Sequence, residues 1–327
     1  MNGIKRVNYM NNNVINRRKY KVKIASFQEI GILIALLVLC SALSIASPFF
    51  LQKDNLLNVL RQISVVGILA VGEAFIIISG EIDLSVGSLL GLGGVITAYF
   101  TMIGINPFLA AVLGLAILGL AGFINGILVT KAKINSFIVT LGMMSVARGI
   151  TLLITGGMPI SFESPIAFLG NGYIRSVPVS VIVMFLIIGI GHVFATKTVM
   201  GRNIFAIGNN EKAAELSGIA VGKLRLIVFT MMGILAALSG IILAGNLLSA
   251  DPTSGTGYEM DVIAAVVIGG ASLAGGQGSI FGVLIGAALM GVLRNGFVLL
   301  GISAYWQIVA IGIVIVAAVG LDQLRKN

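Results

Sequence analysis

The chain has 327 residues, 57% of them hydrophobic and only 10% charged, whereas about a quarter of a soluble domain is charged. With 21 Lys and Arg and 12 Asp and Glu there are too few charges to clothe a soluble surface, which excludes a soluble enzyme, a nucleic-acid-binding domain and a disordered chain. One cysteine, Cys40, and one histidine, His192, exclude an intrachain disulfide and a metal site of the usual His/Cys kind.

Residues 1–28 form a basic tail with Lys5, Arg6, Arg17, Arg18, Lys19, Lys21 and Lys23, expected to lie disordered on the cytoplasmic side against anionic lipid. Residues 29–325 read as one transmembrane domain, since about 20 apolar residues cross the hydrocarbon core as a helix. The first span is Ile30–Gln52. The second, Gln62–Gly80, is interrupted by Glu73. Leu84–Thr130 is long enough for two spans, divided at Asn106-Pro107. Ile134–Thr155 carries Arg148, and Ser176–Thr196 and Leu226–Ala250 follow. Val262–Leu293 is broken at Gly275-Gly276-Gln277-Gly278 into one short span and the start of another, and Asn295–Leu321 supplies the rest with a turn near Gly301. The expected fold is therefore all-α: a polytopic membrane protein of about ten transmembrane helices.

Lys and Arg placement orients it. A cytoplasmic tail puts Lys131 and Lys133, then Lys197, Arg202, Lys212, Lys223 and Arg225, then Arg325 and Lys326 on the same side. An even span count leaves both termini inside. No cleavable signal peptide is expected, because the first apolar run begins late and lacks a small-residue cleavage pattern. A shift of 170 residues, the distance from Asn125 to Asn295, also aligns Ala74 with Ala244, Ser79 with Ser249, Gly87 with Gly257 and Glu81 with Asp251. The halves 56–155 and 226–325 then form an internal repeat, inverted because five spans separate them. Inverted repeats are a transporter signature.

Three polar stretches interrupt this pattern. Ser79–Ser88 joins the second and third spans and carries Glu81, Asp83, Ser85 and Ser88, either as a capped turn, with Asp83 or Ser85 at the helix start, or as a gate. The loop 197–225 has at its centre Gly208-Asn209-Asn210-Glu211-Lys212-Ala213-Ala214-Glu215-Leu216-Ser217-Gly218. Asn210 can cap a short helix there and Gly218 can end it, giving a docking element for a soluble partner or a plain surface loop. The third, Ser249–Asp261, lies on the outer side. Gly218–Lys223 approximates a phosphate loop but has three residues between its glycines and Leu224 where Ser or Thr is needed, so the chain is not expected to hydrolyse ATP itself.

Four stretches, IDLSVGS (82–88), GNNEKAAELSGI (208–219), DPTSGTGYEMDVIAAVVIGGASLAGGQGS (251–279) and NGFVLLGISAYWQ (295–307), resemble the permease subunit of ribose-type ABC importers over 47–322. The resemblance implies a permease homodimer, a cytoplasmic ABC ATPase, an extracytoplasmic sugar-binding protein and a place in the inner membrane. It also implies no cofactor and no nucleic acid. Gly208, Asn209, Glu211, Ala213, Ala214, Ser217 and Gly218 become the ATPase-coupling loop. Glu81 departs from the family, which usually has Gly before Ile-Asp-Leu-Ser.

A neutral polyhydroxylated solute needs hydrogen-bonding groups along its path. Gln62, Ser64, Glu73, Asn125, Ser136, Thr140, Ser145, Asn295 and Gln307 are available. Glu73, Asp83, Ser85, Ser88, Asn125 and Asn295 are the candidates for pathway or gate. Glu73 stands out because a mid-span carboxylate needs a reason, and Arg148 is a candidate partner for it. The alternatives are the same architecture moving a nucleoside, a branched-chain amino acid or a sugar-like signal, or an ion-coupled secondary transporter. The last would require repeated mid-membrane acids, and only Glu73 qualifies. An intramembrane enzyme lacks a His, Cys or paired-Asp site.

Overall fold

The computed structural model describes residues 29–324; the basic tail 1–28, Arg325 and Lys326 lie outside it. The chain order is α1 (Glu29–Ala46), α2 (Lys53–Ile78), α3 (Val86–Met102), α4 (Pro107–Thr130), α5 (Ser136–Thr155), β1 (Ile160–Ser161), a 3-10 turn (Pro165–Ala167), α6 (Phe168–Asn171), β2 (Tyr173–Ile174), β3 (Val177–Pro178), α7 (Val179–Lys197), α8 (Val199–Asn209), α9 (Glu211–Leu216), α10 (Val221–Leu247), β4 (Ser249–Ala250), α11 (Tyr258–Ile268), α12 (Ile280–Leu299) and α13 (Ala304–Leu324). Among the described residues seven helices, α1, α2, α4, α5, α7, α10 and α12, are long and apolar enough to cross a membrane, and Val86–Met102 and Ala304–Ala317 are shorter apolar helices. The architecture is an all-α membrane protein. Its strands are two-residue ladders that pair β1 with β4 and β2 with β3.

The breaks follow local chemistry. Pro107 at the first helical position removes a donor that has no intrahelical partner, and Asn106 accepts from the Phe108 and Leu109 N–H groups, so α4 starts there. The Gly275–Gly278 break falls between α11 and α12, and Gly301 (φ 69°) lies between α12 and α13.

α2 is the axis of the fold. Every residue from Ile63 to Ile78 is buried, and α10, α12, α7 and α11 pack around it. A helix apolar on all sides is what such a position needs. Lipid tails are as apolar as the helices, so association depends on close packing and small residues. α10 and α4 show this: a Cβ on Gly122 would overlap the Phe229 carbonyl, and one on Gly233 would overlap the Leu118 carbonyl. Many large apolar side chains on α1, α4, α5, α7 and α13, such as Leu37, Phe108, Leu153, Leu186 and Val316, are exposed, as a lipid-facing or protein-facing perimeter would be.

Candidate functional site

α2 ends in a glycine cap. Gly80 (φ 86°) donates to Ile77 O at 2.9 Å and Glu81 N–H to Ile76 O at 3.1 Å, so two terminal carbonyls are satisfied and the chain reverses. The segment 82–85 then climbs back along α5. Ile82 N–H donates to Ser136 Oγ at 3.3 Å and Leu84 N–H to Thr140 Oγ1 at 3.1 Å. Asp83 N–H donates to Glu73 Oε1 at 3.2 Å. Asp83 Oδ1 accepts from Ser85 N–H at 2.7 Å and from the Ser85 hydroxyl, and Asn125 Nδ2 donates to Ser85 Oγ at 3.2 Å. Glu73, Asp83, Ser85, Asn125 and Thr140 are fully buried, and Ser88 nearly so.

This polar knot therefore brings together four of the six residues read from the sequence as pathway or gate, with Ser88 buried in the first turn of α3 nearby. Its four side chains are packed inside one chain. Glu73 Oε2, Asp83 Oδ2 and Asn125 Oδ1 have no hydrogen-bond partner among the described residues, so the knot is incompletely satisfied and costly to hold. Asn295 is elsewhere: it exchanges amide hydrogen bonds with Asn55 at 2.7 and 3.1 Å. Ser85 takes the cap position of α3, but its hydroxyl serves Asp83 and not the helix.

Beside the reversal lies the loop 197–225. α9 runs Glu211–Leu216, with Asn210 Oδ1 accepting from Ala213 N–H at 3.0 Å and Gly218 (φ 81°) ending it. Ala214 is buried with Ile207, Val221 and Leu224, so it anchors α9 and offers no contact surface. Leu216 is 91% exposed and is the apolar group α9 presents outward. Gly208 packs against Ile78 O, and Asn209 Nδ2 donates to Gly276 O at 3.2 Å. A cavity of about 760 Å³ opens here, lined by Glu81, Lys133, Asn135, Glu211, Lys212 and Arg225, among others.

At the opposite end, loop 251–257 folds inward until Gly255 abuts Gly87 in the first turn of α3. Arg148 holds it: Nη1 donates to Ser254 O at 2.9 Å and to Pro252 O. Glu73 is therefore not its partner. Hydrogen bonds from the Thr253 hydroxyl and N–H hold the half-buried Asp251 carboxyl below its ordinary range. His192 packs its ring on Phe281, centroids 4.5 Å apart. No group of three or more His, Cys, Asp or Glu suited to a metal occurs among the described residues.

Sequence reading offered Ser136 and Thr140 only as hydrogen-bonding groups for a solute, and two features went unread. Ser136 and Thr140 are the acceptors of the re-entrant segment, although hydroxyls in helices ordinarily serve only their own i−4 carbonyl; Thr140 does both. The segment of α6 and the β2–β3 hairpin, with Arg61 stacked 4.8 Å over Tyr173, left no periodic signal.

The family model described as "Branched-chain amino acid transport system / permease component" matches residues 55–319. The chain is 46% identical to the Ribose import permease protein RbsC of Bacillus subtilis (strain 168), covering 91% of this chain and 94% of that protein. It is 42% identical to the Ribose import permease protein RbsC of Escherichia coli (strain K12), covering 97% and 100%. The D-allose transport system permease protein AlsC of Escherichia coli (strain K12) is 39% identical over 86% and 87%. No solved structure matches.

Proposed function

The chain belongs to the family of branched-chain amino acid transport system / permease components, and from that membership we propose that it forms the membrane pathway of an ATP-driven importer of ribose. It is a multi-pass membrane permease subunit and not an enzyme. The family implies partnership with an ABC ATPase and a substrate-binding protein. Ribose is the cargo because two proteins named ribose import permeases match at 46% and 42% identity over nearly the whole of both chains. The test is uptake of radiolabelled ribose by the reconstituted system. Saturable ribose uptake, with D-allose competing poorly, supports the assignment. Preferential uptake of D-allose would replace it with the second reading that the allose permease relative favours.

The finer architecture of this reading is ten spans in an inner (plasma) membrane, with both termini cytoplasmic. Helix boundaries support the inverted repeat: α2, α3, α4 and α5, advanced by 170 residues, start within three residues of α10, α11, α12 and α13. The orientation is supported by Lys133, Lys212 and Arg225, which line one cavity beside the coupling loop, as a cytoplasmic face rich in basic residues should. Two copies form a homodimer around the sugar pathway, with lipid on the remaining apolar perimeter.

In this account Glu73, Asp83, Ser85, Ser88 and Asn125 are gate residues and not pathway lining, because all are buried within one chain. They hold the segment 82–85 closed against α5. Asn295 fixes α12 to the start of α2 through Asn55. Gly208, Asn209, Glu211, Ala213, Ala214, Ser217 and Gly218 shape the loop on which the ATPase docks, with Leu216 as its apolar contact. The external binding protein delivers sugar at the face carrying loop 251–257. ATP binding draws the two ATPases together and moves α9, and the gate segment on each copy exchanges its closed and released positions.

A further inference from the structure

Glu81, the acid whose role the sequence left open, has a specific partner. Its carboxylate lies 3.0 Å from Arg225 Nε. The same guanidinium donates through Nη1 and Nη2 to both oxygens of Glu211, at 2.9 and 2.8 Å, and Nη2 also reaches Ser79 O at 3.4 Å. The three side chains come from three elements: Glu81 from the glycine cap of α2, Arg225 from the first turns of α10, and Glu211 from the start of α9. The planar guanidinium places its terminal donors on the Glu211 carboxylate and the Ser79 carbonyl, while its Nε edge lies against Glu81 as an ion pair with no hydrogen bond. It also sits at the carboxyl end of α2, where the helix dipole favours a cation.

The two arms differ. The Arg225 and Glu81 side chains are each only 13% exposed, whereas Glu211 is 45% exposed and lines the 760 Å³ cavity with Lys212, Lys133 and Glu215. The Glu81 arm is held by backbone, because Glu81 N–H is itself bonded into the α2 cap. The Glu211 arm is solvated, lies beside competing lysines, and is cheap to break and remake. Glu81 therefore fixes the guanidinium at the root of the re-entrant segment, and Glu211 brings α9 onto it.

We propose that Glu81 is a positioning residue for energy coupling: it holds Arg225 as an ionic latch that ties the coupling helix α9 to the joint from which the gate segment 82–85 springs. The inference rests on the reading of α9 as the ATPase contact. Displacement of α9 then pulls on the gate joint directly through Arg225, in addition to the covalent path through residues 217–225. Without Glu81 the guanidinium follows Glu211, and α9 moves while the gate segment stays behind.

The test uses the complete transporter, with ATPase and binding protein, in lipid vesicles, and reads ribose imported per ATP hydrolysed. Glu81→Gln should continue to hydrolyse ATP and to copurify with the ATPase, while ribose per ATP falls at least about fivefold. Glu81→Asp, which keeps the charge, should recover a large part of that ratio. Glu211→Gln should lower the ratio as well, and Glu81→Gln with Glu211→Gln should be no worse than the more affected single variant. An unchanged ratio in Glu81→Gln, losses that multiply in the double variant, or an Asp variant no better than Gln would each overturn the latch. If Glu81→Gln fails to assemble, Glu211→Gln carries the test, and a normal ratio in that variant overturns the latch. The docking reading fails separately: Leu216→Asp should abolish copurification of the ATPase, and retained copurification with normal transport refutes docking through α9 whatever the Glu81 variants do.

Discussion

Thr140 offers the sharpest probe of the proposed gate. Its hydroxyl accepts the Leu84 N–H at 3.1 Å while donating to Ser136 O at 2.8 Å. Thr140→Val keeps the side-chain shape and removes only the oxygen. The Leu84 N–H is then buried without a partner in the closed position, a penalty of about 1–3 kcal/mol. The Ser136 contact to Ile82 remains, so the segment is weakened and not freed. Taking about 2 kcal/mol, and tenfold per about 1.4 kcal/mol, the released population should rise roughly 30-fold. The readout is labelling of Leu84→Cys, in a chain where Cys40 is replaced by Ser, by an impermeant maleimide added to inside-out vesicles. Leu84 is buried against Ile263 and Val267, so labelling reports release. The Thr140→Val background should speed labelling by about 10- to 30-fold, while native Cys40 in a separate Thr140→Val chain should label as before. An unchanged rate at position 84 would refute the reasoning. Faster labelling at both positions would mean general unfolding, and the gate assignment would fall with it.

Further outcomes follow from the packing. Gly233→Leu places a side chain on the Leu118 carbonyl and should lower the melting temperature in detergent sharply, whereas Gly142→Ala, with nothing within 4 Å of the added carbon, should leave it unchanged. Arg148→Gln removes charge-assisted bonds to Pro252 O and Ser254 O, worth about 1.5–3 kcal/mol each; sugar uptake should fall about tenfold or more with normal amounts of protein in the membrane. Asn55→Leu leaves the buried Asn295 amide without its partner and should cost about 1–3 kcal/mol in unfolding assays, whereas Asn295→Leu should cost less, because the half-buried Asn55 still donates to Phe50 O at 2.9 Å. The double variant should cost less than the two combined.

The sequence and the structure agree most closely where chemistry is local. Asn106-Pro107 and Gly275–Gly278 mark real helix ends because caps and proline act on neighbouring residues. Asn210 and Gly218 bound α9 for the same reason. Agreement fails where partners are distant in the chain. Arg148 is bound by carbonyls of a loop more than a hundred residues away, and charge alone suggested Glu73 instead. Glu81 is explained only by Arg225, which neither spacing nor composition connects to it. Ala214 is among the coupling-loop residues that the resemblance implies, yet six residues of helix cannot show which side meets α8 and α10, and that side is where Ala214 is buried. Asn125 and Asn295, matched by the repeat, bond to Ser85 and Asn55 respectively, because their neighbours differ.

Transport by purified components tests the whole account most directly. The permease in liposomes with ATPase and binding protein should concentrate ribose when ATP is supplied on the side bearing α9, and should stop when ATP is withheld. The permease alone, given a proton or sodium gradient, should accumulate none; uphill accumulation under those conditions would contradict a pathway powered by a separate ATPase.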